Sequence, residues 1–309
     1  MSDRKELRYR APIAGALAAT FLIGVGGAQA LCFKPLTDRS SHDPANWKGL
    51  SGFDPTDPVH PITKAGGVTN FLPIKGGIRD RINLDYYEMT FNAPAKYPTP
   101  AKFFQFLRGI FPVLARDQSQ DYDFRPYRVS TDEMDLTSKR YQEIWDQAVP
   151  AGALMSFQLH VVTFGKSVGM SPKFVNGDVQ ATCATDTDFV FSTVETQEDG
   201  KHPVSGNRGF GLRANQDGTW TFYSMGADRE SDFLPNKLNF SKHMDGKDTF
   251  QEGVAFWHSF YGQMTKVLEA RGTAPRPLFE NSCRYRFDPN LGPNGGASGN
   301  PVDCEPTAP

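Results

Sequence analysis

The sequence predicts an α+β fold: a curved antiparallel sheet packed on a long C-terminal helix, with an irregular N-terminal arm. Three observations carry this. Beyond Pro150 the chain alternates polar and apolar residues in several runs, the two-residue period of half-buried strands. "KDTFQEGVAFWHSFYGQMTKVLEA" then places Phe250, Val254, Trp257, Tyr261, Met264 and Leu268 at spacings of three and four, the buried stripe of an amphipathic helix. Residues 31–80 hold "DPANW", "FDPTDPVHP", "KAGG" and "KGG", a density of proline and glycine that interrupts helix and strand alike.

Taken in order, the first thirty residues read as an export signal. "MSDRKELRYR" is a charged n-region, "APIAGALAATFLIGVGG" an apolar run, and "AQA" at Ala28–Ala30 a small-residue cleavage site, so the expected mature start is Leu31; the alternative, an uncleaved anchor, is disfavoured by the glycines and the small-residue exit. Of 309 residues, 279 then remain, and the net charge moves from −2 to about −4. The basic residues are scattered singly among acids, which argues against a nucleic-acid partner and against a basic membrane-surface patch. After cleavage no membrane span is expected.

In the arm, Trp47, Phe53 and Phe71 are isolated anchors for the main body, which runs over 81–272. "INLDYYEMTF" from Ile82 alternates as a strand, and "PAKFFQFLRGIFPVLA" follows as a helix burying Phe103, Phe106 or Leu107, and Ile110, ended or kinked by Pro112. "TSKRYQEIWDQAV" is a second amphipathic helix burying Tyr141, Ile144 and Trp145. "ALMSFQLHVVTFG" is a strand, "FVNGDVQATCATDTDFVFSTVET" two more divided at "ATDTD", and the strands on either side of "NQDG" form a hairpin. Residues 273–309, rich in glycine and proline, read as a flexible tail tied by a disulfide.

Four cysteines, Cys32, Cys183, Cys283 and Cys304, all lie in the exported part. Three pairings are possible, and the preferred one joins Cys283 to Cys304 and Cys32 to Cys183. Their spacing fits no metal knuckle, no HExxH or calcium loop is present, and neither metal nor cofactor is expected.

The chemistry concentrates in Gly200–Arg229. With the turn centred near Gln216 and Asp217, strand counting sets Arg213 opposite Trp220 and Asn207 opposite Gly226, so that His202, Ser205, Arg208 and Asp228 meet at the open end. One reading makes Ser205 a nucleophile, His202 its base and Asp228 the orienting acid. A second makes Arg208 and Asp228 a cross-strand ion pair, with Ser205 and Asn207 bonding turn backbone. A third makes the group a polar mouth to a ligand cavity. The candidate ligand-binding residues are Arg208, Arg229, His160, Phe222, Trp257 and Tyr261. His258 reads as a hydrogen-bonded core histidine.

The run "DFVFSTVETQEDGKHPVSGNRGFGLRANQDGTWTFYSMGADR", Asp188–Arg229, resembles a segment of bacterial members of the START-like, polyketide-cyclase-like helix-grip superfamily, and the following helix, to about residue 270, agrees in order. The resemblance implies a sheet gripping a terminal helix around an apolar cavity that takes a lipid or another hydrophobic small molecule. The arm, the helices between 100 and 150 and the tail fall outside it, and it transfers no catalytic residue. The function expected is therefore an exported protein that binds a hydrophobic ligand. The alternatives are an exported serine hydrolase using His202, Ser205 and Asp228, and a secreted effector acting through its surface.

Overall fold

A computed structural model describes residues 31–39, 41–57, 62–115, 123–128, 136–161, 173–232 and 249–304. The expected export signal at 1–30 lies outside the described residues. Its strands are β1 (Val68–Phe71), β2 (Arg81–Asn92), β3 (Asp123–Pro126), β4 (Leu154–Val161), β5 (Lys173–Ala184), β6 (Asp188–Thr196), β7 (Gly200–Lys201), β8 (Val204–Ala214), β9 (Thr219–Glu230), β10 (Phe279–Asp288) and β11 (Gly296–Cys304). The helices are α1 (Lys48–Ser51), α2 (Pro100–Gly109), α3 (Phe111–Leu114), α4 (Leu136–Asp146) and α5 (Thr249–Glu269), with single 3-10 turns at Pro44–Trp47 and Ile74–Gly76.

The expected fold class is overturned. One antiparallel sheet of 11 strands dominates the chain, in the order β11-β10-β2-β9-β8-β6-β5-β4-β3, with β1 and β7 added at β6. Helices are subordinate to it, and among the described residues α5 is not the last element, because β10 and β11 follow it. The physical reason lies in "FENSCRYRF". It alternates Glu280, Ser282 and Arg284 against Asn281, Cys283, Tyr285 and Phe287, the period of a strand. Glycine and proline in the following loop mask that signal. The segment read as a tail thus supplies two strands, and β10 inserts beside β2 over eight consecutive pairs, Phe279–Glu88 to Arg286–Arg81.

The sheet is covered on both faces. One face, here the helix face, carries Tyr87, Met89, Phe91, Phe189, Phe191, Phe210 and Phe222 and packs them against α2, α3, α4 and α5. α2 begins at Thr99, whose hydroxyl accepts from the Lys102 amide, with Pro100 in its first turn. Its buried stripe is Phe103, Phe104 and Leu107, continued by Phe111, whereas Phe106 and Ile110 are only partly buried. Pro112 sits in the first turn of α3, where its missing amide costs nothing.

The other face packs Ile82, Leu84, Tyr86, Met225, Ala227 and Tyr285 against the arm. Trp47 is 1% exposed and donates from Nε1 to the Asp85 carbonyl at 3.2 Å. Gly209 leaves the room that Phe33 fills, since a Cβ there would overlap the Phe33 ring. The two disulfides are Cys32–Cys183, which fastens the arm to β5, and Cys283–Cys304, which joins β10 to β11. Among the described residues no helix is long and apolar enough to cross a membrane. The two crosslinks are compatible with an exported protein.

Candidate functional site

The β8–β9 hairpin closes through Asn215–Gly218, and its register sets Arg213 opposite Thr221, Asn207 opposite Ala227 and Gly206 opposite Asp228. This lies one residue from the counted register. The four-residue loop, in which the Asn215 amide donates to the Thr219 carbonyl, adds a residue to the return strand. A one-residue slip exchanges the two faces of every pair, and that decides the chemistry.

Ser205 stands opposite Arg229 and Gly206 opposite Asp228, so Ser205 and Asp228 occupy adjacent register positions that face opposite sides of the sheet. His202 is 7% exposed, its Nδ1 is engaged by the Val204 amide at 3.0 Å, and burial pushes its imidazole down to about 4. Asp228 accepts from Asn83 Nδ2 at 2.8 Å. The three residues therefore do not assemble as a nucleophile, base and orienting acid. Arg229 works on the arm face, donating to the Arg79 and Ile74 carbonyls and lying over the Phe287 ring. His160 stands opposite Phe174 in the β4–β5 pair, and its side chain lies outside the described residues. Phe222 is 2% exposed and packs on Phe260 and Tyr261 within the aromatic layer.

Arg208 does find an acid, but not the expected one. Arg208 of β8, Gly226 of β9, Asp85 of β2 and Ser282 of β10 form one lateral row on the helix face. Arg208 reaches over Gly226, and its Nη2 meets Asp85 Oδ2 at 2.5 Å. A Cβ at 226 would overlap both the Arg208 guanidinium and Asp85 Oδ1, so any larger residue beneath this bridge would displace it. Trp257 of α5 closes the pair from above, with the Arg208 guanidinium 4.0 Å from its ring centre.

Around this bridge the polar groups continue. Tyr87 receives the Ser282 hydroxyl at 3.0 Å, and Tyr261 donates to the Tyr87 carbonyl and to Ser224 Oγ, both at 3.1 Å. His258, one helical turn before Tyr261, pairs through Nε2 with Glu280, and its side chain is 44% exposed rather than core. Burial alone would lower the Arg208 guanidinium, but Asp85, by charge and hydrogen bond, and then Asp228 hold it above its ordinary value. Burial first, and the Asp85 charge second, push the Asp228 carboxyl up to about 6 against the pull of Arg208. Burial, with Asp85 and Glu280 beside it, holds the Tyr87 phenol well above its ordinary range.

Three polar atoms in this cluster, Asp85 Oδ1, Arg208 Nη1 and Glu280 Oε1, are covered from solvent without a hydrogen-bond partner among the described residues. Such an atom costs about 1–3 kcal/mol. Glu88 on the arm face makes the contrast: equally buried, it is engaged by Arg39, Arg213 and the Tyr86 hydroxyl. Asp85, Tyr87, Glu280 and Ser282 are the site residues that motif reading misses. Their alternation within β2 and β10 was visible, but the pairing of those strands with β9 and each other is long-range.

A second buried carboxylate lies on the arm face. Asp178 of β5 accepts from the Ser156 and Thr196 hydroxyls, and burial pushes its carboxyl up to about 7 despite them. The unfolded carboxyl titrates near 3.8, so the folded chain holds a proton that the unfolded chain has lost. The stability this group allows is therefore full below about pH 4 and falls as pH rises through 7. Asp178→Asn is expected to flatten that fall, gaining roughly 2–4 kcal/mol at pH 8 relative to wild type, at about 1.4 kcal/mol per pKa unit. Urea denaturation of both proteins between pH 4 and 8 measures it, and parallel curves would refute the assignment.

No protein-family model and no curated protein matches this chain.

Proposed function

We propose that this chain is an exported ligand-binding protein whose site is the charged end of the layer between the sheet and α5. The ligand class is a lipid-like or otherwise hydrophobic small molecule with a hydroxyl-bearing head. The observation that carries the reading is the gathering of Asp85 Oδ1, Arg208 Nη1 and Glu280 Oε1, without partners, on one patch of the helix face. Native proteins pair nearly all buried polar atoms, so each exception calls for a physical reason, and a ligand that supplies the missing bonds is one; of the eight such atoms among the described residues, three gather here. Two acceptors and one donor suit hydroxyl groups, which both donate and accept. Trp257 beside them and the aromatic layer beyond suit an apolar body.

The arm's Phe33, Leu36, Trp47 and Leu50 are each at most 4% exposed, which favours this reading over an effector acting through its arm. Native mass spectrometry of protein purified without detergent tests it. An adduct that leaves on denaturation is expected, absent from Asp85→Asn protein of unchanged circular dichroism. If no adduct is found and no lipid or glycolipid in a panel raises the Tm, the proposal fails.

A further inference from the structure

The arm face of β10 carries a separate group of chemistry-bearing side chains. Cys283 and Cys304 are directly opposed in the β10–β11 register, so strand geometry holds their side chains together on one face whether or not the sulfurs are bonded. His42 Nδ1 lies 3.3 Å from Cys283 Sγ. The backbone at this histidine is fixed by β10 itself. Asn281 Nδ2 donates to the Arg39 and Ser41 carbonyls, each at 2.9 Å, and the Tyr285 hydroxyl donates to the His42 carbonyl at 2.6 Å.

We propose that His42, Cys283 and Cys304 form a reduction-gated metal site for a thiolate-preferring divalent cation such as zinc. A dithiol reductant gives two electrons and two protons to the Cys283–Cys304 bond and becomes a disulfide, leaving two thiols. The cation then displaces both thiol protons, forming two metal–sulfur bonds and one bond to His42 Nδ1, with water as fourth ligand. Zinc–sulfur bonds of about 2.3 Å and zinc–nitrogen bonds of about 2.0 Å set ligand atoms about 3.5–3.8 Å apart in a tetrahedron. The three ligand atoms here all lie within 4.8 Å of one another, a span that releasing the sulfur–sulfur bond adjusts without moving a strand.

Two features let the gate open within the native fold. β11 is the edge strand, with Val302 44% exposed, and His42 is exposed, so reductant and cation approach from solvent. The remaining ties between β10 and β11, including the Arg284–Asp303 ion pair and the pairs from Arg286–Ser298 to Asp288–Gly296, do not depend on the crosslink.

Cobalt titration of the full-length chain tests this. In protein reduced with a phosphine, with Cys283 and Cys304 shown free by alkylation and mass spectrometry, one Co²⁺ per chain is expected. It would show a thiolate-to-cobalt charge-transfer band and the intense visible bands of a tetrahedral centre. The oxidised protein should show neither. His42→Ala is expected to weaken cobalt binding at least tenfold while near-ultraviolet circular dichroism is unchanged, and Cys283→Ser/Cys304→Ser to abolish it even with Cys32 and Cys183 reduced. The proposal is overturned by reduced protein that gives no such bands, by bands indifferent to His42→Ala, or by loss of the native dichroism on reduction.

Discussion

Arg208→Met is expected to destabilise the fold by about 3–5 kcal/mol at neutral pH, the usual consequence of leaving one half of a buried ion pair uncompensated. The Asp85 side chain is 8% exposed and that of Arg208 13%, so water screens the bridge little. The same substitution removes the cation from the Trp257 ring. Asp85→Leu added to Arg208→Met should restore most of the loss, because the desolvation penalty leaves with the second charge. Arg208 also lowers the Asp228 carboxyl, so without it Asp228 rises above about 6 and the single-variant deficit shrinks as pH falls below that value. Urea denaturation of the two single variants and the double variant, at pH 5 and 7.5, reads all of this. A deficit under about 1 kcal/mol, or no recovery in the double variant, would mean that the bridge is not buried as described.

Removing the Cys32–Cys183 crosslink should cost more than removing Cys283–Cys304. The first spans 151 residues and the second 21, and loop-closure entropy alone predicts losses of about 5 and about 3 kcal/mol. The arm makes the first effect visible. Cys32 donates its amide to Asp188 Oδ1 at 3.1 Å, and Phe33 packs edge-on against Tyr223 over Gly209. Unlinking Cys32 therefore frees the end of the segment that covers one sheet face. Urea midpoints of the Cys32→Ala/Cys183→Ala and Cys283→Ala/Cys304→Ala proteins check the ranking. The reverse order would show that packing of Phe33, Leu36 and Trp47, not the crosslink, holds the arm.

Local signals were readable where the chain's own period set the element. β5 and β6 divide near "ATDTD", as expected from its turn-forming residues, and the cysteine pairing matches the preferred one. Tyr141 and Trp145 on α4 are buried as their spacing indicates, although Ile144 is only partly so. The architecture was not readable. The glycine- and proline-rich loop after Asp288 outweighs the alternation of "FENSCRYRF", so the sequence reads as a tail behind a last helix where the structure has β10 and β11.

The site failed for a related reason. "HPVSGNR" and "GADR" do lie together at one end of the hairpin, but adjacent strand positions face opposite sides, so composition cannot tell which of their side chains meet. One of the three readings pairs Arg208 with Asp228 across the strands, and Arg208 instead bridges to Asp85, which is 123 residues away in the chain.

By itself the sequence determined the periods, the turns, the cysteine set and the presence of polar residues on otherwise apolar strands, because each of these is written in neighbouring residues. Only the tertiary structure decided that β10 lies beside β2, that Gly226 sits beneath a bridge from Arg208 to Asp85, and that His42 faces a disulfide formed 241 residues later. Strand pairing and register are set by packing between distant segments, and a single-residue step in register chooses which face of the sheet each charge must occupy.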